Sequence, residues 1–100
     1  MAYEIIVKKR FTNKLLKLLS YLEMEWGKAV AEKFSIKLER RLDTLLEQPL
    51  IGAESDILNV RSILITKHNR LYYRIKGTTI EIVNMYDTRM NPLKNPYLKK

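Results

Sequence analysis

The sequence has 100 residues and a net charge of +8 at pH 7, from 19 Lys and Arg against 11 Asp and Glu. This length is that of one domain (1–100), and the absence of cysteine excludes disulfide bonds and thiolate metal sites. The chain has a single histidine, no apolar run near the roughly 20 residues of a membrane span and no secretory leader pattern. We therefore expect a cytoplasmic protein without a metal, a cofactor, a membrane partner or a small-molecule ligand.

The N-terminal half predicts a strand followed by two helices. Tyr3–Val7 is a short β-prone run. Thr12 or Asn13 is then a candidate N-cap for an amphipathic helix that ends at Gly27, and a second helix spans Lys28–Glu47. The polar face of this second helix alternates in the sign of its charges, which is typical of a solvated surface. Because the break at Gly27 is so short, we expect the helices to form an antiparallel hairpin.

The C-terminal half changes to the period of two that is typical of strands. A loop at Gln48–Asp56 precedes three β-prone runs, which are Asn59–Thr66, Arg70–Lys76 and Thr79–Asp87. Short turns between them predict a three-stranded antiparallel β-meander. The fold class is therefore α+β: an N-terminal strand, then an antiparallel helical hairpin packed on the meander, in the order β-α-α-β-β-β. Residues 88–100, which contain two prolines, are expected to form a basic C-terminal tail.

Alternation along the middle strand separates two faces. Leu71, Tyr73 and Ile75 share an apolar face, which we expect to lie against the helices. The residues of the opposite face are Arg70, Tyr72 and Arg74. Arg61 on the preceding strand and Arg89 just past the last strand are candidates for the same surface.

The charge is concentrated in this part of the chain, because residues 61–100 carry a net +7 of the total +8. Arginines grouped around an aromatic ring are typical of surfaces that hold phosphates and stack on bases. The alternative is that these arginines pair across strands with Glu81 or Asp87. At the end of the tail, Lys99 and Lys100 are expected to contribute only a screened charge.

Three segments of the strand region resemble a known family. They are Val60-Arg61, Asn69-Arg70-Leu71-Tyr72-Tyr73-Arg74-Ile75 and Ile80–Pro92. They supply an arginine in the first meander strand, an Arg-x-x-Tyr opening the next strand and an arginine just after the last. With the order of elements, this pattern resembles the RelE/ParE superfamily of bacterial toxins from type II toxin–antitoxin modules. The resemblance implies a single toxin domain from a plasmid-stabilisation module.

The superfamily has two functional classes, and the resemblance leaves both open. ParE-like members inhibit DNA gyrase without cleavage chemistry. RelE-like members are ribosome-dependent endoribonucleases that cut mRNA, and in that class Arg70 matches the phosphate-binding arginine and Arg89 the arginine that helps the leaving group. RelE members carry a Lys-x-Lys pair where this chain has Arg61 and Ile63, and an arginine is a poor proton acceptor. This difference favours the ParE class, in which the protein is not an enzyme.

The resemblance also implies protein partners: a cognate antitoxin, and either DNA gyrase or the ribosome with its mRNA. The apolar residues Leu16, Tyr21 and Met24 on the first helix suggest a surface for an antitoxin helix. The candidate residues for binding the target or RNA are Arg61, Arg70, Tyr72, Arg74, Arg89 and Tyr97. A third hypothesis is a basic nucleic-acid-binding module with no toxicity.

Overall fold

The computed structural model describes residues 2–98, so the tail residues Lys99 and Lys100 lie outside the described part of the chain. Two helices lie on one side of a five-stranded sheet, which confirms the α+β class. The elements are β1 (Glu4–Val7), α1 (Lys9–Trp26), α2 (Lys28–Glu47), β2 (Ala53–Glu54), β3 (Val60–Thr66), β4 (Asn69–Lys76), β5 (Thr79–Asp87) and a 3-10 helix (Pro92–Lys94). None of the helices within residues 2–98 has the length and apolar character needed to cross a membrane.

The helical hairpin is confirmed, but the first helix begins earlier than predicted. Its first residue is Lys9, and Lys8 occupies the N-cap position without a side-chain cap, so neither Thr12 nor Asn13 caps it. The reason is tertiary: the Lys8 amide donates to the Ile82 carbonyl at 2.9 Å, which fixes the strand-to-helix junction on the sheet. Between the helices Gly27 adopts φ +95°, a conformation that glycine tolerates and other residues rarely adopt.

The sheet has the strand order β1-β5-β4-β3-β2. The predicted antiparallel meander forms its centre. At one edge β1 pairs with β5 in parallel, with Glu4 opposite Thr79, so the sheet is mixed. At the other edge the segment predicted as loop contributes β2, which pairs with β3 over two residues. So short a strand has no periodicity from which a sequence pattern can identify it.

Both faces of the sheet are covered. The helix side carries the main core, including Leu71 and Tyr73 as predicted, with Ile75 packed at its margin. The buried members of this core are Phe11, Phe34, Leu38, Leu45, Ile65, Leu71, Tyr73, Ile80, Ile82 and Met85. The opposite side carries a smaller cluster, in which Tyr97 packs on Tyr72 and Val60. Residues 88–98 are therefore a structural element and not a loose tail; we call them the C-terminal segment.

Candidate functional site

The middle strand β4 positions Arg70 and Arg74 on the sheet face opposite the helices. They flank Tyr72, which belongs to the small cluster on that face. Arg70 Nη1 donates to Ser62 Oγ on β3 at 3.0 Å. Within residues 2–98 Arg70 makes no ion pair, so its charge has no acidic partner. Of the predicted arginines, it is the one with the strongest geometric case for binding an external anion.

Arg74 pairs across strands with Glu81, which is the alternative to phosphate binding that the sequence left open. Its Nε donates to Glu81 Oε1, and Lys8 Nζ lies 3.6 Å from Glu81 Oε2. Glu81 is only 8% exposed. The hydrogen bond from Arg74 is the main cause that lowers the pKa of Glu81, with smaller contributions from the charges of Arg74, Lys8 and Lys76. This carboxylate stays ionised and neutralises much of the charge around it.

Arg61 does not join this surface. It lies opposite Tyr73 in the β3–β4 register, so its side chain projects from the helix face of the sheet. Arg61 Nη1 donates to the Gly52 carbonyl at 2.8 Å, and Arg61 Nη2 lies 3.7 Å from Glu54 Oε2. The expectation that Arg61 shares a surface with Arg70 is therefore wrong. The alternation along β4 could not reveal it, because the relative register of two strands is a tertiary property.

Arg89 also lies apart from Arg70. Its guanidinium is bound by Asp87 through two hydrogen bonds, Nε to Oδ1 at 3.0 Å and Nη2 to Oδ2 at 2.7 Å. This fork lowers the pKa of Asp87 and raises that of Arg89. Arg89 lines a groove beside the helices, whereas Arg70 lines a separate cavity of about 170 Å³ on the other side of the sheet. Asp87 borders both spaces, and the two arginines do not converge on one site.

The two candidate tyrosines are packed on each other. The rings of Tyr72 and Tyr97 stack with centroids 4.4 Å apart and an angle of 17° between their planes. Tyr72 is 1% exposed and Tyr97 is 9% exposed. Asn95 Nδ2 donates to Tyr72 Oη at 3.0 Å, and the Tyr97 carbonyl accepts from the Asp56 amide at 3.1 Å. In this arrangement the face of Tyr72 is occupied by Tyr97 and not by a base.

The C-terminal segment divides the arginine face into two cavities. On one side lies the Arg70 cavity described above. On the other side is a cavity of about 340 Å³, in which Lys8 and Arg10 join Arg74 beside Tyr97. Lys8 and Arg10 were not among the predicted site residues, because only the parallel pairing of β1 with β5 brings the N-terminal residues to this face.

A third space lies between the helical hairpin and the end of the sheet. This groove, of about 730 Å³, is lined by apolar residues that include Tyr21 and Trp26. Its polar rim includes Lys33 and Lys37 from α2, His68 from the β3–β4 turn and the ion pair of Arg89 with Asp87. We call it the hairpin groove. The sequence pattern assigned the two lysines to a solvated face, and their spacing of four residues was the available signal that they share one side of the helix.

Within residues 2–98 no group of three or more His, Asp or Glu side chains is arranged to hold a metal ion. The candidate site offers guanidinium and ammonium groups, which bind carboxylates and phosphates by charge-assisted hydrogen bonds.

Comparison with solved structures gives the same fold repeatedly. A chain of the chromosomal ParDE toxin–antitoxin system from P. aeruginosa superposes with a TM-score of 0.74 at 18% identity, covering 85% of this chain and 95% of that chain. The YoeB dimer from Staphylococcus aureus gives 0.60 at 14% identity, covering 84% and 94%. The E. coli DinJ-YafQ toxin–antitoxin complex gives 0.59 at 12%, covering 87% and 93%.

A search of curated protein sequences gives no match. The family model described as "ParE toxin of type II toxin-antitoxin system, parDE" matches residues 5–92, from the first strand to the start of the 3-10 helix. This range contains both helices, all of the sheet except Glu4, and the arginines of β3, β4 and the β5 end. The chain therefore belongs to the ParE toxin family, and it is the toxin component of a type II toxin–antitoxin system.

Proposed function

We propose that this toxin acts by inhibiting DNA gyrase and not by cleaving mRNA. The observation that carries the proposal is the separation of Arg70 from Arg89. A nuclease of the RelE type would use both at one scissile phosphate, whereas here they line different cavities. Stabilising a transition state requires donors aimed at the same developing charge.

The remaining parts of a nuclease site are also missing from the candidate residues. Arg61 is committed to the Gly52 carbonyl and is a poor proton acceptor, and the neighbouring Ile63 has no titratable group. Tyr72 and Tyr97 present their faces to each other, so neither offers a free stacking surface for a base. What remains among the candidates is Arg70, which is held by Ser62 Oγ and makes no ion pair within residues 2–98, and such a cation suits recognition of an acidic group on a protein target.

The test is to induce the toxin in cells and to measure plasmid supercoiling and mRNA cleavage in the same culture. We expect loss of negative supercoiling without ribosome-dependent cuts. Arg70→Ala should raise the concentration for half-maximal inhibition of purified gyrase about tenfold, the effect of removing an interface anchor worth about 1.4 kcal/mol. Lys76→Ala, an exposed change at the far end of the same strand, is the matched control and should change it less than about twofold.

Two results would contradict the proposal. Cuts in mRNA with normal supercoiling would assign the protein to the RelE class. Full gyrase inhibition by folded Arg70→Ala would remove this arginine from the interface. A protein that is harmless in both assays would support the third hypothesis, a non-toxic nucleic-acid-binding module.

We further propose that the hairpin groove binds an antitoxin helix. One of the similar solved structures is a toxin–antitoxin complex. The hairpin groove also combines an apolar floor with a rim that includes Lys33 and Lys37. Such a surface fits an amphipathic helix with acidic residues at its margins. Of the three residues predicted to form an antitoxin surface, Tyr21 lines this groove, whereas Leu16 and Met24 are exposed outside its lining.

Co-expression with the protein encoded by the adjacent gene tests the groove. The two proteins should purify together, and Trp26→Ala should weaken the complex about tenfold or more, because Trp26 is 67% exposed and lines the groove. Met24→Ala is the control: this side chain is 83% exposed on the same helix, and the groove lining does not include it. Equal effects of the two variants, measured by titration calorimetry, would place the antitoxin elsewhere.

A further inference from the structure

Most charged residues of α2 are segregated by sign around the helix; the exceptions are Lys28, which falls among the acids, and Glu47, which falls about 20° from Arg40. Four cations fall within an arc of about 100°, at the 100° per residue of an α-helix. They are Lys33, Lys37, Arg40 and Arg41. Glu32, Glu39 and Asp43 lie on a different flank by the same geometry. The alternation in sign along the sequence therefore conceals one continuous basic flank.

This flank borders a cleft beside β3, which adjoins the hairpin groove and shares Lys37 and Thr66 with it. The cleft has a volume of about 460 Å³. Its lining residues are Lys37, Arg40, Arg41, Leu64, Ile65, Thr66 and Lys67. Four of these seven side chains are cations, and none is acidic or aromatic. We call it the basic cleft.

The cleft has a fixed geometry. Arg41 Nε donates to the Leu64 carbonyl at 2.7 Å, which pins this side chain across the gap between α2 and β3. Arg40 and Lys37 project from a rigid helix, and Lys67 from the tight β3–β4 turn. Within residues 2–98 none of the four cations forms an ion pair. Their charges are thus available to a ligand. Because Arg41 is already held in place, its side chain loses little conformational entropy on binding.

We propose that the basic cleft binds the sugar–phosphate backbone of duplex DNA. Neutralisation of phosphates by Lys and Arg supplies most of the sequence-independent affinity of proteins for DNA. Proteins that hold single strands add aromatic side chains on which bases stack, and the lining of this cleft has none. The densely charged backbone of a duplex matches a row of cations that is anchored at Arg41.

An acidic peptide fits the cleft less well. To bind here, the peptide would have to pair with the edge of β3 as an additional strand. That edge is protected against such pairing. The β3–β4 register shifts between Leu64 and Thr66, and Arg41 already occupies the Leu64 carbonyl. Irregular register and charged side chains at an edge are devices that oppose strand addition. The cleft also has no apolar floor comparable to that of the hairpin groove.

The dimensions limit how many phosphates the cleft contacts. Lys37 and Arg41 are four residues apart, about 6 Å along the helix axis, and Lys67 extends the row from the neighbouring turn. Successive phosphates of one strand advance about 3.4 Å along the duplex. We therefore expect the four cations of the cleft to contact about three or four phosphates.

The experiment measures binding of the purified chain to a short fluorescent duplex of arbitrary sequence at several salt concentrations. The test variant is the triple change Lys37→Gln, Arg40→Gln and Lys67→Gln, which leaves the structural Arg41 in place. The control is the triple change Lys9→Gln, Lys17→Gln and Lys76→Gln, at three exposed lysines outside the cleft lining. Both variants lose the same net charge, and unchanged far-ultraviolet dichroism and urea midpoints establish that both are folded.

We expect the test variant to reduce the slope of log K against log salt by about 2.7, at about 0.9 per lost phosphate contact. The control should change it by less than about one. Equal slopes for the two variants, or absence of binding by the unmodified chain at low salt, would overturn the proposal. Tighter binding of single-stranded RNA through the same three residues would also overturn it, as would competition by polyglutamate alone. The assay contains no gyrase, so its outcome is independent of the proposed target.

Discussion

The hydroxyl of Tyr73 ties the sheet to the loop that leaves α2. It donates to the Pro49 carbonyl at 2.6 Å and accepts from the Gly52 amide at 3.0 Å. Burial raises the pKa of Tyr73, against opposing effects of the Gly52 hydrogen bond and the Arg61 charge. A Cβ at Gly52 would lie 2.6 Å from this hydroxyl and 2.8 Å from the Ser62 carbonyl, so the loop approaches the sheet as closely as glycine allows.

Tyr73→Phe should therefore lower the free energy of unfolding by about 1–3 kcal/mol, because it leaves the Gly52 amide and the Pro49 carbonyl without their partner. Urea unfolding at neutral pH measures the change. Tyr21→Phe is the control, since Tyr21 is exposed and should alter stability by less than about 0.5 kcal/mol. Equal stability of Tyr73→Phe and the unmodified protein would mean that water replaces the hydroxyl at the loop.

For individual residues, the sequence predicted which face of the sheet each side chain of β4 occupies, but not which residues cover that side chain. Alternation placed Tyr73 toward the helices, where it is buried as expected. The same pattern put Tyr72 on the other face beside two arginines, and it is buried there as well. Its burial depends on Tyr97, which lies 25 positions further along the chain after two prolines. No local periodicity connects these two residues.

Among the elements, the C-terminal segment has the largest effect on the candidate site. It holds the small cluster on the arginine face through the Tyr72–Tyr97 stack and the Asn95–Tyr72 hydrogen bond. Asn91 begins its 3-10 helix by accepting from the Leu93 amide at 3.0 Å. The prolines indicated the absence of a long element, which is correct, but they did not indicate that the segment packs. In the same way β2 and the early start of α1 are set by pairing with the sheet and not by local sequence.

Tyr97→Ala should destabilise the fold by about 2–4 kcal/mol, since it removes a stacked ring and leaves a cavity over Tyr72. It should also increase the quenching of tyrosine fluorescence by acrylamide, because Tyr72 becomes accessible. Leu93→Ala, at a 64% exposed position in the same segment, should change stability by less than about 0.5 kcal/mol. Unchanged quenching in folded Tyr97→Ala would show that Tyr72 is protected by other residues.

For the whole molecule, the distribution of charge was the least predictable property. The sequence places +7 of the charge in residues 61–100, of which +4 belongs to residues 88–100. Folding then redistributes the partners: Glu81 neutralises Arg74, Asp87 neutralises Arg89, and Lys8 and Arg10 arrive from the N-terminus. The order of helices and meander strands followed from periodicity, because each element buries one face. The pairing of β1 with β5 did not, because a strand pattern contains no information about a partner so distant in sequence.

That pairing has a consequence for how the toxin is made. Glu4 pairs with Thr79, which lies 75 positions later in the chain. The first strand to leave the ribosome therefore pairs with the last strand to leave it. At about 5–20 residues per second, β1 waits about 4–15 s for β5 to be synthesised. β5 also contacts β4 and α1, so neither the strand pairing nor the helix packing is complete until translation has passed it. We therefore expect a message interrupted before β5 to yield an unfolded fragment that is a substrate for proteases.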